Sequence, residues 1–153
     1  MKWVFRMEKQ KNNILVSACL LGIDCRYCGT GLFNETVYKL KENYNLIPVC
    51  PEQLGGLTTP RNPVELVKGQ AVDRNQNDFT AQFDKGAAET LKMAKLLDCK
   101  MAVLKSNSPS CGYGKIYDGT FQGNLIEGNG KTADLLAENG IKIITEKEWH
   151  QKD

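Results

Sequence analysis

Four short apolar runs constrain this chain more than any other feature. Asn13–Ala18, Asn45–Val49, Met101–Lys105 and Ile141–Thr145 are each brief, continuous and rich in aliphatic or β-branched residues. Continuous runs of this length, without alternation, read as strands covered on both faces. Helical spacing fills the intervals. Asn34 is a good N-cap, and Val37, Leu40 and Tyr44 share one face of a helix over Asn34–Tyr44. Thr80–Leu97 is the strongest helix: Thr80 stands as its cap, and Phe83, Ala87, Leu91, Ala94 and Leu97 form a stripe. Lys131–Asn139 is a third helix, closed by Gly140. Strand and helix in alternation give parallel pairing through crossovers. The sequence therefore predicts a three-layer, Rossmann-like α/β fold with a mostly parallel sheet.

The chain has 153 residues, which suits a single domain. Residues 1–12 read as an N-terminal extension and 13–153 as the domain. Between the main elements, Cys50–Pro63 holds three prolines and two glycines and reads as a long functional loop. Val64–Lys68 and Ala71–Arg74 read as a hairpin, as do the residues flanking Asp118-Gly119 within Ile116–Phe121. Thr145 and Glu148 are spaced as a capping box for a short terminal helix.

Composition narrows the function classes. Hydrophobic residues are 41% and charged residues 25%, enough apolar material to exclude a disordered chain. The net charge of +2 and an aromatic share of 8% give no footprint for a large nucleic acid. Apolar runs fall far short of the roughly 20 residues that span a bilayer, and the first residues lack the apolar stretch of a secretion signal. These features predict a cytoplasmic protein without membrane contact. Six cysteines in a reducing compartment read as ligands or nucleophiles rather than disulfides. The single histidine is His150.

The position of those cysteines is informative. Cys19 follows the first strand, Cys50 the second, and Cys111 sits in the loop after the third. In an open parallel sheet these are carboxyl ends, where ligand sites form. Three thiols brought to one edge suit a soft metal. Structural zinc takes four ligands, whereas three cysteines leave one position open, as on one iron of a [4Fe-4S] cluster. The alternative is three buried cysteines packed as small hydrophobes, the reading that also fits Cys99, expected at the opposite edge.

Cys25 and Cys28 form a C-x-x-C, which alone suggests a redox dithiol or half a zinc site. Cys19, Cys25 and Cys28 come near the plant-type cluster spacing without matching it. Gly128-Asn-Gly130-Lys131-Thr132 resembles the end of a phosphate-binding loop but lacks its first glycine. It reads as a turn into a helix, or as an anion pocket at that helix N-terminus.

Taken together, Ser17-Ala-Cys19-Leu-Leu-Gly22, Cys25-Arg-Tyr27, Pro48-Val-Cys50-Pro-Glu52, Gly55-Gly-Leu57, Thr59-Pro-Arg61, Lys105, Ser108-Pro-Ser-Cys111-Gly112 and Gly128-Asn-Gly130 with Thr132-Ala133 carry a resemblance. They resemble a small bacterial family, formerly of unknown function, that includes the thiouracil desulfidases. The resemblance spans about residues 13–149 and points to the short, single-domain form. It implies a [4Fe-4S] cluster held by Cys19, Cys50 and Cys111, the triplet that strand ends also select. It implies a catalytic Glu52 and a catalytic Ser108, with a thiolated nucleobase or nucleoside as substrate and cluster-assembly machinery as partner. Cys28 departs from the family pattern, where an acidic or polar residue is usual.

The implied chemistry is coherent. A thiocarbonyl sulfur is a soft donor for an open iron, which would polarise the C=S bond. Glu52 can serve as base for a water, and Ser108 can orient that water or pass a proton to a ring nitrogen. Plainer readings stand beside these: a loop-capping carboxylate for Glu52 and a turn hydroxyl before Pro109 for Ser108. Arg26 and Arg61 are candidates for substrate binding, or else surface arginines. The competing function is a non-catalytic iron–sulfur or zinc protein that binds metal or senses redox state.

Overall fold

A computed structural model describes residues 9–149. The first strand, β1 (Asn12–Ser17), begins one residue inside the segment read as an extension. The rest of that segment up to residue 8, and His150, lie outside the described residues. In chain order there follow a 3₁₀ turn (Ala18–Leu21), α1 (Glu35–Tyr38), a second 3₁₀ turn (Lys39–Glu42), β2 (Tyr44–Val49) and α2 (Pro51–Leu54). A hairpin of β3 (Glu65–Val67) and β4 (Gln70–Val72) precedes the long helix α3 (Thr80–Leu96). After β5 (Met101–Leu104) come β6 (Lys115–Tyr117), β7 (Leu125–Glu127), α4 (Lys131–Glu138), β8 (Lys142–Thr145) and α5 (Glu146–Trp149).

The main sheet is four-stranded, all parallel, in the order β2-β1-β5-β8. The four apolar runs form these strands, with ends shifted by a residue at most. Alternate side chains enter opposite layers, as the period of two requires. Leu15, Ala102, Leu104 and Ile143 pack with Ala94 of α3 and Ala133 and Leu136 of α4. Ile14, Val16 and Val103 pack with Val37, Leu40 and Trp149 on the other side. Helices cover both faces, and the three-layer α/β fold is the one the sequence predicts.

Register sets the site. Ser17 pairs with Val49, and Leu104 with Thr145, so the four strands end together. The strand order reverses between β1 and β5, which opens a crevice there at the carboxyl edge.

Four local expectations need correction. The helix over Asn34–Tyr44 is a single α-turn that tightens into 3₁₀ before β2 begins at Tyr44. Asn34 does cap it, its Oδ1 accepting from the Val37 amide at 3.0 Å. The Cys50–Pro63 loop opens with a helical turn, α2, with Cys50 at its N-cap and Pro51 at N1, where a missing N–H costs nothing. Thr80 is not a cap: its hydroxyl accepts from the Ala71 amide, 3.0 Å away, and Phe79 stands at the cap position. Asp118-Gly119 does not close a two-residue hairpin. β6 pairs with β7 across residues 118–124, and Asp118 folds back on the Thr120 amide and hydroxyl.

Candidate active site

A cavity of about 370 Å³ opens at the carboxyl edge of the sheet. Each wall follows from a strand end. Cys19 leaves β1 in the 3₁₀ turn, Cys50 follows β2, and Lys105 and Ser106 leave β5; all four line the cavity. Cys111 reaches it from the loop after β5. Cys19 and Cys50 pack with the α1 side of the sheet and Cys111 with the α3–α4 side, so the thiols straddle the sheet edge. Cys25 is a fourth thiol on the wall, buried and hydrogen-bonded with Cys19 and Cys50. The Cys50 thiol also donates to the Cys25 carbonyl at 3.7 Å.

Three of these thiols, those of Cys25, Cys50 and Cys111, are pushed above the ordinary thiol range. The hydrogen bond with Cys19 and burial push Cys25 up to about 11. Burial pushes Cys111 up to about 12, with the nearby Cys50 and Glu52 adding to it. The bond with Cys25, then burial, drives Cys50 up as well. A metal binding here would displace protons, as thiolate ligation requires. Cys28 differs: it is exposed, outside the cavity wall, and its contact with Thr30 lowers it. Cys99 is buried at the amino end of β5, away from this edge.

Glu52 enters on the first turn of α2, two residues past Cys50. Its Oε1 accepts from Arg61 Nε at 3.1 Å, and both side chains are largely buried. Arg61 also donates to the Thr58 carbonyl, the Thr59 hydroxyl and, through Nη2 at 2.9 Å, the Cys25 carbonyl. Four of its five N–H groups are thus spent on the protein. Arg61 is an internal clamp on Glu52 rather than a surface arginine. Arg26 lines the cavity half-buried, stacked over the Tyr27 ring.

Ser108 lines the cavity with its Oγ accepting from the amides of Ser110 and Cys111, each at 3.1 Å. The turn-forming hydroxyl reading describes that half of its geometry; the hydroxyl is also a hydrogen-bond partner of the Cys111 sulfur. The loop carrying Cys111 is locked by α4. Gly130 lies against the Ser110 backbone with no room for a Cβ, and its amide donates to the Gly112 carbonyl at 2.7 Å. The Lys131, Thr132 and Ala133 amides go to the Pro109 and Ser110 carbonyls. This corrects the anion-pocket reading: the amides that would bind an anion already hold the cysteine loop.

Two further carboxylates, buried and without a sequence motif of their own, stand by this edge. Glu65 on β3 accepts from the Gly119 and Phe121 amides at 3.0 and 3.1 Å, fixing the 118–124 loop at the cavity wall. Glu146 opens α5 and binds Ser106 and Lys105. The signal for Glu146 was present: it directly follows the fourth strand, as Cys19 and Cys50 follow or nearly follow theirs.

The comparisons bear on the same region. The 2-thiouracil desulfurase family matches residues 14–148. The chain belongs to that family. Among its relatives is the uncharacterised protein YbbK of Bacillus subtilis, 43% identical over 145 residues, covering 88% of this chain and 96% of that one. A solved structure, the [4Fe-4S]-dependent thiouracil desulfidase TudS, superposes with a TM-score of 0.86 at 39% identity, covering 92% of this chain and 95% of that chain. Membership of the 2-thiouracil desulfurase family thus covers every strand end that lines the cavity. No helix among the described residues is long and apolar enough to cross a membrane.

Proposed function

We propose that this chain is a [4Fe-4S]-dependent desulfidase. It would remove sulfur from a thiolated pyrimidine of the 2-thiouracil type, free base or nucleoside, giving the oxo base and sulfide. The observation that carries the reading is one cavity lined by Cys19, Cys50 and Cys111 together with Glu52 and Ser108, in a chain 39% identical to TudS.

The donor set fits the cluster. Buried thiols are soft ligands. Among the described residues no three His, Cys, Asp or Glu side chains stand close enough to share one ion. A cluster instead takes its thiolates on separate iron atoms. Cys19, Cys50 and Cys111 would hold it, loaded by cluster-assembly machinery in the cytoplasm. When bound with one iron free of protein ligands, the cluster supplies a Lewis acid for the thiocarbonyl sulfur.

The chain's own groups do the rest. Glu52 takes the proton of a water that adds to the thiocarbonyl carbon, and Arg61 fixes the direction of that carboxylate. Ser108, anchored through its oxygen, donates its hydrogen toward a ring nitrogen. Water and the thiocarbonyl give a carbonyl and hydrogen sulfide, with no net oxidation.

The test is anaerobic purification followed by iron analysis, a visible spectrum and incubation with 2-thiouracil. Uracil and sulfide in equal amounts support the reading. Bound iron without turnover would favour a non-catalytic metal-binding protein.

A further inference from the structure

Lys105 and Glu146 follow adjacent parallel strands, and their side chains meet at 3.1 Å. Lys105 Nζ also donates to the Ser106 carbonyl at 3.1 Å and to Ser106 Oγ at 3.2 Å. Glu146 is fully engaged: Oε2 accepts from the Ser106 amide at 2.8 Å, and Oε1 from the Ser106 hydroxyl at 2.6 Å besides the ammonium. Lys105 and Ser106 line the cavity, while Glu146 stands behind them, its side chain 10% exposed against 22% for Lys105. The cation of the pair thus belongs to a residue of the cavity wall and the anion to one outside it. The Lys105 amide donates to Ser17 Oγ at 2.9 Å, so the backbone beneath the ammonium is fixed as well.

Nothing in the sulfur chemistry described above uses this cation. A pyrimidine, however, presents more than its thiocarbonyl. The ring of 2-thiouracil also carries an exocyclic carbonyl oxygen, a hard acceptor that a cluster site does not satisfy. We propose that Lys105 is a substrate-orienting residue that donates to this oxygen, and that Glu146 is its positioning residue. The proposal rests on the desulfidase reading.

The geometry allows the exchange at small cost. The contact from Nζ to Ser106 Oγ is the longest of the three made by the ammonium. Ser106 Oγ keeps its short bond to Glu146 when that contact is given up. One N–H can then turn to the substrate while Glu146 and the Ser106 carbonyl keep the ammonium in place.

The test compares 2-thiouracil with pyrimidine-2-thione, which has the same thiocarbonyl but no exocyclic oxygen. Binding of each to cluster-loaded wild type, Lys105→Met, Lys105→Arg and Glu146→Gln is measured by anaerobic titration, with iron determined on every sample. A hydrogen bond from a charged donor is worth enough that its loss should weaken 2-thiouracil roughly 10- to 100-fold. Lys105→Met should show that loss at wild-type iron content, with little change for pyrimidine-2-thione. Lys105→Arg should recover part of it, and Glu146→Gln should show a smaller loss of the same selectivity. Equal weakening of both ligands, or of neither, would overturn the assignment, as would loss of iron in Lys105→Met. If wild type binds iron but neither ligand, the desulfidase reading fails and this proposal with it. If wild type turns over 2-thiouracil and Lys105→Met keeps its selectivity, the proposal alone fails.

Discussion

Gly55 and Gly86 meet backbone to backbone. A Cβ on Gly86 would run into the Pro51 carbonyl oxygen, and one on Gly55 into that of Gln82. Gly86 lies within α3, where glycine is a poor helix former by about 1 kcal/mol against alanine. What it secures is the approach of α2, which follows Cys50 directly and carries Glu52 two residues past it. Neither clash can be relieved by turning a side chain. We expect Gly86→Ala to displace α2 and destabilise the fold by about 1–3 kcal/mol, the usual cost of overpacking, despite its better helix propensity. Thermal unfolding checks the stability. A lower iron content after reconstitution, beside normal values for a surface change such as Lys92→Ala, would locate the effect at α2.

The ligand assignment separates five of the six cysteines. Cys19→Ala, Cys50→Ala and Cys111→Ala should each lose the cluster, because two thiolates hold it weakly. Cys99→Ala, at the amino end of β5, and Cys28→Ala, on the surface, should keep iron. Iron analysis of the five anaerobic preparations decides. Retention in Cys111→Ala with loss in Cys28→Ala would shift the ligands to Cys19, Cys25 and Cys28.

Glu146 should leave a mark on acid stability. Burial alone would raise its carboxyl, but the Ser106 hydroxyl and amide and the Lys105 ammonium outweigh that and hold it below the ordinary range. A carboxyl lowered on folding stabilises the protein above the unfolded-state value, about 4.3 for glutamate. That contribution is lost as pH falls through the lower folded value. Wild type should therefore be more stable than Glu146→Gln at pH 7, by about 1–3 kcal/mol. The gap should stay near full size down to about pH 4.3 and narrow below it. Urea unfolding from pH 7 to pH 3 measures it, and a gap independent of pH would exclude this carboxylate as its source.

The sheet was legible because its strands are short, apolar and unbroken, a pattern that burial on both faces imposes. The carboxyl-edge position of Cys19, Cys50 and Cys111 followed from each cysteine's place after an apolar strand of a parallel sheet. Other parts were hidden for physical reasons. α2 is one turn long and sits among prolines and glycines that ordinarily mark loops. The hairpin after Ile116 fails at Asp118-Gly119 because Glu65, distant in sequence, takes the Gly119 and Phe121 amides and holds the loop open. Arg61 looks like a surface cation in sequence, since nothing local shows that Thr58, Thr59, Cys25 and Glu52 all converge on it. Glu146 is the first residue of a short helix, where an acidic residue is ordinary, and its partners Lys105 and Ser106 are about forty residues away in sequence.

Glu52 is the sharpest test of the mechanism. Its carboxylate lines the same cavity as Cys50 and Cys111 and is near enough to help raise both thiols. Arg61 binds only Oε1 among the contacts it makes to this residue, leaving Oε2 for a water. In Glu52→Gln the amide oxygen can still accept from Arg61, so the clamp and the fold should survive with a loss of about 1–3 kcal/mol. The basic oxygen is gone. Turnover of 2-thiouracil should fall by about 10²–10⁴, the usual worth of a general base. Iron content and the spectral change on adding 2-thiouracil should stay at wild-type levels. All three are read on one anaerobic sample, so a slow variant that has merely lost iron is recognised at once. Near-normal turnover with the cluster intact would remove Glu52 from the proton transfer. Ser108 or bulk water would then have to activate the nucleophile, and the Arg61 clamp would be structural alone.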